Sequence, residues 1–179
     1  MGHTHKKGGG CLNRRQFLIF GGSALAVMAA PPVVKAAGLK LVGSRYEEMR
    51  IASLADLEAG VPIEFTYPNA DVFNILVKLN EQAGGGIGPD RNIVAFNTTC
   101  THMGGPVGAD TFKPTHSVLG PCPLHLTTFD LTRHGMVTAG HATSSLPQIM
   151  LEVRNGDIYA IGVMGLVFGY DENPRGTEA

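Results

Sequence analysis

The chain has 179 residues, 44% hydrophobic and 16% charged, enough for one domain with a sizeable core and too apolar for a disordered chain. Lys plus Arg (14) almost balance Asp plus Glu (15), but residues 1–36 hold Lys6, Lys7, Arg14, Arg15 and Lys35 and no acid, so the remainder carries 9 basic against 15 acidic residues, a net of −6. Such a domain lacks the clustered Lys and Arg that displace counterions from a phosphate backbone, which excludes nucleic acid as a partner.

Residues 1–16 are basic and polar, Phe17 to Val34 is an apolar run interrupted by Gly21-Gly22 and Pro31-Pro32, and Val34-Lys35-Ala36-Ala37 offers small residues for cleavage. This is the layout of an export signal over 1–37. Asn13-Arg14-Arg15-Gln16-Phe17-Leu18 resembles the twin-arginine signal, two Arg ahead of a hydrophobic residue and Leu, on a pathway associated with proteins exported already folded. A periplasmic domain over 38–179 is expected, with the leader retained as a membrane anchor as the alternative.

From about Leu39 the chain turns to short β-rich runs separated by Gly, Pro, Asn and Asp, the spacing of an all-β domain. Ser53 is placed to cap a short helix over Leu54 to Glu58 that Gly60 would stop. Ile63 to Tyr67, Val72 to Leu79 and Asn92 to Asn97 read as strands. The glycine-rich Gly84-Gly85-Gly86-Ile87-Gly88-Pro89 before the third lacks the Lys-Ser/Thr of a P-loop, and no helix follows it, so it reads as a flexible hairpin loop. Gln148 to Val153 and Ile158 to Val163 flank Arg154-Asn155-Gly156-Asp157, and Asn-Gly suits a tight turn because both central residues need positive φ. The apolar run Gly165 to Tyr170 either finishes a sheet or packs on a partner.

Cleavage of the leader would remove Cys11 and leave Cys100 and Cys122. Two cysteines in an exported protein ordinarily suggest a disulfide. Their neighbours suggest something else: Cys100-Thr101-His102 and Cys122-Pro123-Leu124-His125 each present a thiolate and an imidazole from a tight turn, with 19 residues between His102 and Cys122. Two Cys and two His satisfy tetrahedral Zn²⁺, which makes zinc the competing reading. Zinc fingers, however, pair Cys with Cys and His with His. One Cys and one His per loop suits a [2Fe-2S] cluster with two thiolates on one iron and two imidazoles on the other.

Cys-Thr-His-Met-Gly-Gly and Cys-Pro-Leu-His resemble the two ligand boxes of Rieske iron-sulfur proteins, commonly Cys-Thr-His-Leu-Gly-Cys and Cys-Pro-Cys-His. The twin-arginine leader, the stretch from Cys122 to Gly135 and the segment Gly140-His141-Ala142-Thr143 to Leu146-Pro147-Gln148 resemble, within that superfamily, the small subunit of arsenite oxidase. The resemblance implies an antiparallel β sandwich or barrel with a small cluster-binding subdomain at about 97–145, and one Rieske [2Fe-2S] cluster on Cys100, His102, Cys122 and His125. Two departures stand out. Gly105 and Leu124 replace the cysteines that clamp the loops in many relatives. Thr127 and Phe129 stand where respiratory Rieske proteins have the Ser and Tyr whose hydroxyls bond the sulfurs, which implies a lower potential here.

The other candidates have ordinary readings. His116, His134 and His141 read as loop or surface histidines, Met103 as an apolar cover over the cluster, and Asp130 as a turn cap or partner of Arg133. A cluster with both irons coordinatively full has no open position for substrate, so the chain is expected to carry electrons singly, with His102 and His125 as its exposed edge. The resemblance implies a large molybdopterin and iron-sulfur catalytic subunit as donor and a c-type cytochrome or small copper protein as acceptor. The net acidity agrees with a basic cytochrome. The alternatives are the Rieske subunit of a quinol-cytochrome c reductase and, in a different class, a colourless zinc-stabilised periplasmic binding module.

Overall fold

A computed structural model describes residues 46–173, and the expected export signal lies outside them. In chain order the strands are β1 (Met49–Ser53), β2 (Ile63–Thr66), β3 (Phe73–Lys78), β4 (Ile93–Asn97), β5 (Phe112–Lys113), β6 (Val118–Leu119), β7 (Thr128–Asp130), β8 (Met136–Ala139), β9 (Gln148–Arg154) and β10 (Asp157–Met164). Six of them form one antiparallel sheet ordered β1-β10-β9-β4-β3-β2, and β5-β6-β7-β8 form a second. The all-β expectation holds.

The strands that could be read in the sequence fall where alternation and turn chemistry put them. Asn155 and Gly156 both take positive φ (52° and 88°) and join β9 to β10. Leu54–Asp56 is a single 3-10 turn, shorter than the expected helix. Ser53 and Asp56 close a capping box round it, but the chain is extended again at Leu57, before a second turn can form. The glycine loop is not slack: Ala83 N–H donates to Arg91 O (3.0 Å) and Ile87 N–H to Ile93 O (3.0 Å), folding it back on the start of β4.

β3 and β4 are buried on both faces, which explains their near-continuous apolar sequence. Leu76, Ile93 and Ala95 face a core shared with Ala52, Ile149 and Ile158, drawn from β1, β9 and β10, with Ile63 and Phe65 of β2 packed against it. The large sheet therefore curls around its own core as a nearly closed barrel. Irregularities at Arg50/Ala52 and Ala160/Gly162 supply local bends. Ile75, Val77, Val94 and Phe96 point the opposite way into a second core with Leu119, Phe129, Leu131 and Leu146. Each such fully buried large side chain contributes about 1.5–3 kcal/mol.

The second sheet is an excursion from the first. β4 pairs directly with β9 through Ala95↔Ile149 and Phe96↔Gln148, so everything between them, including both cysteine boxes, leaves the barrel at one point and returns beside it. That places the first box at the end of β4 and the second between β6 and β7.

Candidate metal centre

The two boxes fold alike. In the first, Cys100 N–H donates to Gly105 O (2.8 Å) and Gly104 N–H to Cys100 O (2.9 Å); in the second, Cys122 N–H donates to Thr127 O (2.8 Å) and Leu126 N–H to Cys122 O (2.9 Å). Each loop thus starts on its cysteine, closes five residues later, and turns at its fifth residue through positive φ, 71° at Gly104 and 61° at Leu126. Glycine adopts that conformation freely, whereas leucine there costs about 1–2 kcal/mol.

Asn97 and Asn74, opposite one another on β4 and β3, hold the first loop at its root. Buried Asn97 donates from Nδ2 to Phe73 O (2.9 Å) and Asn74 Oδ1 (3.3 Å), and accepts at Oδ1 from Thr99 N–H (3.0 Å), one residue before Cys100. Thr101 Oγ1 donates to Ser144 O (2.7 Å), tying the loop to the segment after β8. These polar anchors went unnoticed in the sequence, because an isolated asparagine at a strand end reads as a turn signal.

The sequence-chosen residues meet. Cys100 and Cys122 are buried at 1% and 2% exposure, lie close enough that the Cys122 thiol disfavours ionisation of Cys100 beside it, and form no disulfide. His102 and His125 meet edge to face with ring centroids 4.7 Å apart. Burial pushes the Cys100 thiol up; the His102 backbone N–H opposes that, as does the Thr127 hydroxyl, while Cys122 adds to it. A buried thiol so placed ionises only beside a cation, and iron would supply one. His102 Nδ1 is sealed from solvent and has no hydrogen-bond partner, an arrangement costing about 1–3 kcal/mol unless a Lewis acid takes the lone pair. Gly105 completes the fit: a Cβ there would lie 2.6 Å from Cys122 Sγ and 3.0 Å from Leu124 Cγ and Cδ1. Leucine and glycine therefore interlock where relatives have cysteines, and packing holds the loops. Among the described residues no three His, Cys, Asp or Glu side chains converge as a mononuclear ion requires. A two-iron centre asks only for one pair at each iron.

Three further residues border the pocket. Thr127, fully buried, sets its hydroxyl beside the Cys100 thiol, where it favours the charged form, and accepts His141 N–H at 3.2 Å. Phe129, also fully buried, shares a core with both cysteines and offers no hydroxyl. His141 is exposed, as a surface histidine should be, yet its ring centroid lies 5.7 Å from that of His102 and 6.5 Å from that of His125. The edge of the site thus carries three imidazoles. Gly140, whose Cβ would fall 2.4 Å from Thr127 Cα, lets that segment approach, and the Gly-His pair after β8 was the available signal. His134 lies elsewhere, its Nδ1 2.7 Å from Gln148 Oε1, and His116 sits in the turn between β5 and β6. Asp130 both caps Thr132 N–H (2.8 Å) and faces Arg133 at 3.7 Å.

Comparison with known proteins decides the family. The Rieske [2Fe-2S] domain model matches residues 47–150. The chain belongs to the Rieske [2Fe-2S] family. Its cofactor is accordingly a Rieske [2Fe-2S] cluster, and the zinc reading falls. The Rieske chain is 57% identical over 166 residues to iodate reductase subunit IdrB of Denitromonas iodatirespirans, covering 93% of this chain and 89% of that one. It is 56% identical over 170 residues to the subunit of the same name from Pseudomonas sp. (strain SCT), covering 94% and 88%. Among solved structures it resembles the soluble domain of Rieske protein II from Sulfolobus acidocaldarius, with a TM-score of 0.57, 24% identity, and 69% and 80% of the two chains covered. That likeness bears on the fold alone. The expected kinship to arsenite oxidase is thus met at the level of the Rieske family, while these two long matches are to iodate reductase subunits.

Proposed function

We propose that this chain is the electron-transfer subunit of an iodate reductase, with Cys100 and Cys122 on one iron and His102 and His125 on the other. The observation that carries the reading is the 57% identity to an iodate reductase subunit across 93% of the chain. The geometry agrees with a relay and not with substrate chemistry. When bound, the cluster supplies a one-electron couple with both irons coordinatively full. Around it, Cys100 and Cys122 keep the thiolate end out of water, Thr127 stabilises negative charge on the Cys100 sulfur, and the exposed His125 and His141 give electrons a short way out.

Reducing an oxoanion consumes electrons, so the chain feeds a catalytic subunit, which we take to be a molybdopterin protein, one electron at a time. In an arsenite oxidase the flow would be reversed. The donor would be a c-type cytochrome or comparable soluble carrier, and the leader would deliver the folded protein to the periplasm by the twin-arginine route.

Both directions are tested on the purified two-subunit complex. Iodate added to the reduced complex is expected to reoxidise the cluster, seen as loss of its paramagnetic resonance signal. Reduction of the oxidised cluster by arsenite, with no response to iodate, would overturn the iodate assignment in favour of arsenite oxidation. Fractionation tests the address: replacing Arg14 and Arg15 by Lys should leave the protein in the cytoplasm.

A further inference from the structure

The mouth of the site is apolar to an unusual degree. Met103 (59% exposed), Leu124 (54%) and Leu126 (67%) project from the two loops, and Leu166 (54%) and Phe168 (42%) from the segment after β10. Leu124 and Phe168 lie over adjacent residues of the first loop, because a Cβ on Gly105 would meet the one and a Cβ on Gly104 would meet the other at 2.8 Å. Met103 precedes Gly104 in the same loop, Leu126 lies two residues from Leu124, and Leu166 lines one cleft with Phe168. Exposed apolar groups scattered singly need no explanation, whereas a contiguous patch marks a surface that something covers.

The segment after β10 is held for presentation. Asn173 is buried; its Oδ1 accepts Val167 N–H (2.9 Å), and its Nδ2 donates to Gly165 O (2.6 Å) and Tyr46 Oη (3.4 Å). Val167 is drawn inside at 3% exposure, which turns Leu166 and Phe168 outward. Between this segment, Thr101 and Ser144 opens a cleft of about 240 Å³, one residue from Cys100 and His102.

Leu126 points the same way. It holds a left-handed backbone that the equivalent loop position gives to Gly104, and its side chain is two-thirds exposed. Its exposed side chain gains no burial among the described residues to offset that strain. Strained residues persist where the surroundings or a function require them.

Charge narrows the occupant. Residues 92–109, 114–129, 134–151 and 158–170, which carry the five apolar side chains and both ligand loops, contain no Asp, Glu, Lys or Arg, although the chain beyond residue 36 carries a net charge of −6; the acids nearest the first loop, Glu64 and Asp110, line a separate cleft with Gly104 and Pro106. The acidity therefore lies off the segments that carry the two ligand loops and the apolar side chains.

We propose that Met103, Leu124, Leu126, Leu166 and Phe168 form one uncharged docking face, and that its occupant is an equally uncharged, apolar surface of the catalytic subunit. This rests on the reading of the chain as a subunit of a reductase. The cleft receives a single apolar side chain of that partner beside the first ligand loop. The face is permanently covered in the complex, and a charged soluble carrier docks elsewhere.

The test measures affinity between the purified, cluster-loaded chain and its catalytic subunit. Leu166→Glu is expected to weaken binding about tenfold or more, as loss of an interface anchor does. Leu126→Gly, which relieves the backbone while removing the side chain, should weaken it severalfold. The resonance signal of the reduced cluster should be unchanged in both, which separates lost docking from lost folding. Val61→Glu, at an exposed apolar residue outside these segments, should have no effect. Raising ionic strength from about 0.05 to about 0.5 M should shift wild-type affinity by less than about twofold, since no charge pairs are screened. Unchanged affinity in both leucine variants, a steep salt dependence, or an effect confined to self-association of the chain would overturn the docking face while leaving the reductase reading intact. Failure of the wild-type chain to bind any such subunit would overturn both.

Discussion

Replacing Thr127 by valine isolates one hydrogen bond to the cluster. Thr127 is fully buried, its hydroxyl lies beside the Cys100 thiol and favours its charged form, and the same oxygen accepts His141 N–H at 3.2 Å. Valine keeps the branched shape and removes both contacts. Electron density on sulfur is greater in the reduced cluster, so a donor aimed at a ligand sulfur stabilises that state more. Taking about 1 kcal/mol for the net worth of the bond, the reduced state loses about 40 mV for a one-electron couple. The potential of Thr127→Val should fall by that order, while Thr127→Ser, which keeps the hydroxyl, should stay near wild type. A redox titration followed by paramagnetic resonance reads this directly. An unchanged or raised potential in Thr127→Val, with the cluster fully loaded, would refute the assignment of Thr127 as a donor to the cluster.

Phe129→Tyr is the opposite change: a hydroxyl added in the core that Phe129 shares with both cysteines should raise the potential by a similar amount, and a titration curve that does not move would defeat it. Gly105→Ala puts a methyl 2.6 Å from Cys122 Sγ, against neighbours that cannot move without displacing a ligand. Iron per chain after purification should drop severely, and full loading would show that the loops have slack. Asn97→Ala strips the acceptor from Thr99 N–H and a donor from Phe73 O, at a cost of about 2 kcal/mol. The thermal midpoint should fall on the order of 8 °C in calorimetry, and a shift of a degree or less would mean the first loop is anchored elsewhere.

What the sequence disclosed and what it withheld follow from interaction range. The Asn155-Gly156 turn, the alternation in β2 and the apolar runs of β3 and β4 are local signals, and they place five of the six barrel strands within a residue or so, while β1 (Met49–Ser53) does not read as a strand in the sequence. β5 and β6 have two residues each and β7 three, too short for any periodicity, so the second sheet was visible only as the excursion carrying the cysteines. The donor set Cys100, His102, Cys122 and His125 could be read because its chemistry is written in two short boxes. His141 carried only the faint signal of its neighbouring glycine, since its place beside His102 depends on Gly140 lying against Thr127, a contact between segments distant in the chain. Net charge is limited for a related reason: it sums over the domain and does not say which face is neutral.

The central claim is that Cys100, His102, Cys122 and His125 hold a Rieske cluster. Paramagnetic resonance of the chemically reduced protein tests it most directly, because two imidazole ligands lower the average g below that of an all-cysteine [2Fe-2S] cluster and make the signal rhombic. Such a signal in the wild-type chain, lost in Cys122→Ser and in His125→Ala, is the predicted result. A metal-replete protein that stays silent on reduction, or a signal that survives both substitutions, would contradict it.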